Sequence, residues 1–214
     1  MRSVIPAVVA TTLLMGGTIV DRIAVVVGRT AIKTSDIERD LRVTQFLNGQ
    51  PADSSVEQRR AAAQRLIDQA LIRRDLMQAG SSSVLPEDAK EVVAQLRRER
   101  FHGSEAQLKS ELGKRGLTPA QLTEYMQWQM TVLRFIDERF RPGVLITEDD
   151  IAKYRQAHAE ELGREFSAAA DSQAAQVARV REILEGEQIN RNFEEWLEQT
   201  RKSARIEYKL DELK

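Results

Sequence analysis

The spacing of apolar and polar residues changes character along the chain, and each change marks an element. Asp21–Lys33 (DRIAVVVGRTAIK) carries the clearest strand signal: Ile23 to Val27 is β-branched apart from Ala24, Gly28-Arg29 supplies a turn, and Ala31–Lys33 returns as a second strand. The apolar period then lengthens to that of a helix. Ser35 with Glu38 three residues on reads as a capping box, and Ile37 and Leu41 begin the apolar face behind it. After the break at Asn48-Gly49-Gln50-Pro51, Ser55 with Gln58 caps a second helix that runs to Gly80. Its Ala62, Ala63, Leu66, Ile67, Ala70 and Met77 share one face while Ile72 and Leu76 lie on another, the pattern of a helix with partners on two sides.

Four more helices follow, each with its own start and stop. Pro86-Glu87-Asp88 begins the third, which ends near Phe101-His102-Gly103; Ser104 with Gln107 caps the fourth, closed around Gly113–Gly116. Thr118-Pro119 with Gln121 caps the fifth, which reaches about Arg141, and Thr147 with Glu148, Asp149 and Asp150 begins the sixth. Gly163–Ala178 is rich in Ala, Gln and Ser and is expected to be a weak helix or a hinge. Val180–Arg201 resumes helical spacing, and Arg205–Leu210 alternates Ile206, Tyr208 and Leu210 against Glu207 and Lys209 as a half-buried strand. A lone hairpin is marginal, so that terminal strand is expected to join the first pair. The expected fold is mainly α: a multi-helix array over 35–158, a returning helix and strand over 180–210, and a small antiparallel sheet made by the N-terminal hairpin and the C-terminal strand, all in one domain over 20–214.

Composition narrows the chemistry. Of 214 residues, 32 are Lys or Arg and 33 Asp or Glu, a net charge of −1, which lacks the basic footprint of a nucleic-acid binder. There is no cysteine, and the two histidines, His102 and His158, stand in no motif. Neither GxGxxG nor GxxxxGK[ST], HExxH or GxSxG occurs outside or inside the predicted elements, so no cofactor, metal or catalytic residue is assigned. Glu148-Asp149-Asp150 reads as the acidic first turn of a helix.

Arg2 is followed by the largely apolar Val4–Leu14 and then by Gly16, Gly17 and Thr18, the layout of a secretory leader. Residues 1–19 are therefore expected to be a signal peptide or an N-terminal anchor, with the mature chain in the periplasm and without an integral membrane domain. On the fifth helix, Leu122, Tyr125, Met126, Met130, Val132, Leu133, Ile136 and Phe140 fall in one broad stripe, expected to face the core. Trp128 and Phe135 fall on a flank, either as core or lining a groove. Large aromatics beside flexible thioethers suit varied apolar segments, so Trp128, Phe135, Met126 and Met130 are candidate client-binding residues, with Phe46 a further one.

Five stretches resemble the SurA-type periplasmic chaperones: VDRIAVVVGRTAIKTSDIERDL at Val20–Leu41, QRLIDQALIRRDLMQAG at Gln64–Gly80, SEAQLKSELGKRGLTPAQL at Ser104–Leu122, ITEDDIAKY at Ile146–Tyr154 and FEEWLEQTRKSARIEYKL at Phe193–Leu210. The resemblance implies that family's N-terminal chaperone module, completed by its C-terminal helix and strand. It also implies an ATP-independent chaperone that holds unfolded exported or outer-membrane polypeptides in an apolar groove. Family members usually carry a parvulin-type prolyl isomerase domain after the segment equivalent to Ile146–Tyr154; here the Ala/Gln-rich stretch stands in its place, so isomerase activity is not expected. A parvulin-related isomerase and an envelope adaptor with one fixed partner are the competing readings.

Overall fold

The computed structural model describes residues 21–80, 84–166 and 173–213; the leader-like residues 1–19 lie outside them. Strands β1 (Ile23–Val27) and β2 (Thr30–Lys33) form an antiparallel hairpin whose turn places Gly28 at φ +59°, a conformation glycine adopts without strain. Strand β3 (Ile206–Tyr208) pairs with the other side of β1, giving the order β2-β1-β3 with Val26 opposite Glu207. The ladder continues beyond the strand ends: Gly28 N–H donates to Arg205 O at 2.8 Å and Lys209 N–H to Ala24 O at 2.8 Å. The expected closure of the sheet by the tail is thus present. The strand is shorter than Arg205–Leu210 because the chain turns at Leu210 into a 3-10 turn at Asp211–Leu213, which buries Leu213 against the sheet.

The described residues also hold eight α-helices: α1 (Thr34–Leu47), α2 (Val56–Ala79), α3 (Pro86–Phe101), α4 (Glu105–Lys114), α5 (Pro119–Phe140), α6 (Glu148–Ala157), α7 (Ala159–Phe166) and α8 (Gln173–Ser203). The architecture is mainly α with one small antiparallel sheet. Several starts follow the caps read from sequence. Ser55, Ser104, Thr118 and Thr147 each accept from the backbone N–H three residues on, at 3.2–3.4 Å. Gln121 and Asp150 reach back to complete the boxes at 2.9 Å.

The start of α1 differs from the expected Ser35–Glu38 box. β2 runs into α1 without a linker, so the cap position falls on Lys33, whose N–H donates to Asp36 Oδ2 at 3.0 Å. Ser35 instead donates from its backbone and its hydroxyl to Asp21, at 3.1 and 2.5 Å, tying the start of the hairpin to the helix. Of the expected hinge, α7 reaches Phe166 and α8 begins at Gln173; residues 167–172 lie outside the described set.

Helix α2 is central, as its two apolar faces require. Ala62, Ala63, Ile67, Ala70 and Leu71 pack under the sheet, and Ile72 and Leu76 pack with Trp128 and Phe135 of α5. Met77, expected on the inner face, is 84% exposed, since it lies in the last turn, past the residues that pack under the sheet. Helix α8 touches both α2 and α5 through Phe193, Trp196 and Leu197, while its first half packs with α6 and α7 around Ile151, Leu162 and Val180.

Helix α5 corrects the expected stripe. Leu122 is fully buried, but Leu133 is 66% exposed and the other six positions are only half-buried. Besides Leu122, the buried positions are Trp128, Thr131 and Phe135, at 8%, 3% and 4% exposure. The physical reason is that α5 has neighbours on opposite sides, α3 on one and α2 with α8 on the other. The flank with Trp128 and Phe135 packs against α2 and α8, and Thr131 is tolerated on the helix interior because its hydroxyl donates to Gln127 O at 2.8 Å and accepts from Val84 N–H at 3.2 Å.

Candidate functional site, a groove beside the edge of the sheet

A groove of about 240 Å³ opens where β2, α1, α2 and α5 meet. Each helix presents to it four residues at the same spacing: Asp36, Arg39, Asp40 and Val43 from α1; Leu66, Gln69, Ala70 and Arg73 from α2; Gln121, Glu124, Tyr125 and Trp128 from α5. The intervals are i, i+3, i+4 and i+7, one stripe on each helix. Thr30, Ala31 and Ile32 of β2 form the remaining wall. Successive strand side chains point to opposite faces, so three consecutive residues bordering one groove mean that β2 presents its edge.

The apolar parts of this lining are Ala31, Ile32, Val43, Leu66, Ala70 and the Trp128 ring, while Asp36, Asp40 and Glu124 with Arg39 and Arg73 give it both signs of charge. Asp40 is 5% exposed and accepts on Oδ2 from Arg65 Nε and Nη2, at 2.9 and 2.6 Å. Burial raises its pKa above the ordinary carboxylate value, against the pull of the Arg65 charge and its hydrogen bond. Arg39 lies 3.6 Å from Asp36. The Arg73 guanidinium stands 3.7 Å from the centroid of the Trp128 ring, a cation–π stack. Desolvation there lowers the Arg73 pKa, with Glu124 acting in the opposite sense, yet a guanidinium remains cationic at neutral pH. Trp128 Nε1 is buried without a hydrogen-bond partner among the described residues, an arrangement costing about 1–3 kcal/mol.

Of the five residues singled out from sequence, the groove gathers Trp128. Phe46 is buried elsewhere, stacked on Phe101 with centroids 6.3 Å apart, and Met126 packs against that same cluster. Phe135 belongs to an aromatic knot with Phe140 and Trp196, centroids 6.0 and 5.4 Å away, over which Arg139 lies while bonding Asp75 at 2.7 Å. Met130 is half-buried on α5. Phe46 and Phe135 are thus interior residues, 6% and 4% exposed, and neither borders the groove.

Sequence reading missed the other lining residues because their stripes mix charged, amide and apolar groups, and so carry no hydrophobic period. The available signal was the recurrence of that mixed stripe on three helices. His102 caps α3 at φ +50°, and His158 ends α6 stacked on Tyr154, centroids 4.0 Å apart. Among the described residues no group of three or more His, Asp or Glu is placed to hold a metal ion, and no helix is long and apolar enough to cross a membrane. No protein-family model matches the chain, and no curated protein matches it.

Proposed function

We propose that this chain is an ATP-independent holding chaperone of the bacterial envelope, one that binds unfolded exported polypeptides, outer-membrane proteins among them, and releases them unchanged. The observation that carries this reading is the groove: an apolar floor, a rim with both signs of charge, and a strand edge in one wall. An apolar floor takes side chains of many shapes, and a rim of both signs repels neither acidic nor basic segments. Burying one apolar side chain on such a floor yields roughly 1.5–3 kcal/mol before ordering costs, so a few contacts give weak, reversible capture. The leader-like Val4–Leu14 supports the compartment, and the resemblance of the five sequence stretches supports the class. The reading assigns no reaction to the site.

Diluting a denatured outer-membrane β-barrel protein into buffer with the purified chain tests it. Light scattering should fall in proportion to the chain added, without nucleotide. Scattering that is indifferent to the chain at every ratio would overturn the proposal.

A further inference from the structure

Resting on the holding reading, we infer that the groove takes its client as an extended strand added to the outer edge of β2, which no strand covers among the described residues. The ladder fixes which groups are free. Gly28 N–H and Ala24 O both bond to the β3 side, so the alternate residues Val25 and Val27 face β2. Their partners Ile32 and Thr30 are hydrogen-bonded pairs, whereas Ala31, opposite Val26, is a non-hydrogen-bonded pair. The N–H and C=O of Ala31 therefore point away from β1, toward the groove that Ala31 borders.

The two edges of the sheet are not equivalent. On β3, Glu207 lies between Arg205 and Lys209, bonded to both at 2.7 and 2.8 Å, the charged kind of edge that resists added strands. On β2 the charge stands at the end of the strand, on Lys33, whose N–H is taken by Asp36; the stretch Thr30, Ala31, Ile32 before it holds none, and Ala31 is exposed. A strand laid along this edge bonds through its backbone, which every sequence has, and sends every second side chain toward Leu66 and Ala70. The client class that satisfies both demands is a segment of alternating apolar and polar residues in an unfolded chain. Strands of outer-membrane barrels have that period.

The test uses the full chain, isotopically labelled, with a short peptide of alternating valine and threonine and the same peptide N-methylated at every second residue. The inference predicts that the plain peptide slows hydrogen exchange at the Ala31 amide by roughly tenfold or more, and that N-methylation weakens binding by a similar factor, the worth of one or two net backbone hydrogen bonds. Ala31→Pro removes the free N–H but no bond to β1, so it should weaken the plain peptide by roughly tenfold while leaving circular dichroism unchanged. Should that variant fail to fold, the exchange and N-methylation results on the unaltered chain decide alone. Binding with Ala31 exchange unmoved and equal affinity for both peptides overturns strand addition and leaves the holding reading standing. Absence of peptide binding together with absence of aggregation suppression overturns both. An Ala31 amide protected without peptide, in a chain that sediments as a dimer, overturns the inference in favour of a second copy at the edge.

Discussion

Asp40 holds a carboxylate almost out of water, with Arg65 as its partner on one oxygen and the groove on its other side. Its native pKa is raised, so the stability linked to it is complete below the ordinary carboxylate value and is lost as pH rises through the raised native value. Asp40→Asn removes that dependence. Urea melts between pH 4 and 8 should show the stability of the unaltered chain falling relative to the variant as pH rises across that window; a difference that grows with pH would contradict the assignment. Two neighbours on α5 separate interior from surface in the same way. Phe135→Ala should cost about 3–5 kcal/mol for the cavity it leaves in the aromatic knot. Leu133→Ser, at a position 66% exposed, should change stability by no more than about 0.5 kcal/mol. A larger cost for Leu133→Ser than for Phe135→Ala in denaturant melts would mean that the stripe read from sequence, and not its flank, faces inward.

At the scale of elements, what local chemistry controls was legible. Ser55, Ser104, Thr118 and Thr147 cap where the sequence placed them, because a side chain and a backbone N–H three residues on need nothing from the rest of the fold. Ser55→Ala should accordingly cost about 1 kcal/mol of stability, read as a lowered urea midpoint. The start of α1 escaped that logic, since Ser35 was taken by Asp21, a partner brought there by the hairpin. The facing of α5 escaped it for a related reason. An apolar stripe predicts one buried side, and a helix with neighbours on opposite sides has two; here the large rings face α2 and α8, a choice made by tertiary packing. The groove was illegible because its three stripes balance Asp36 against Arg39 and set Arg73 on Trp128, so the hydrophobic period that marks a core is absent from them.

The whole molecule is tied together by its tail. β3 completes the sheet, Leu213 enters the core beside Ile67 and Leu71, and Arg60 Nε donates to Glu212 O at 2.7 Å. Leu213→Ala should therefore cost about 2–5 kcal/mol although it lies in the last turn of the described chain; a melt shifted as little as that of Leu133→Ser would deny the tail its place in the core. This closure holds α1 and α2 against the sheet and so fixes the walls of the groove. Whether that groove holds unfolded polypeptide is tested most directly by placing a photo-crosslinking residue at Gln69 or Glu124 on its rim, and at Gln156 on α6, which does not border it. Irradiation with a denatured β-barrel client should give crosslinks from Gln69 and Glu124 that an excess of unlabelled client competes away, and none from Gln156. Crosslinks confined to Gln156, or equal at all three positions, would contradict the account.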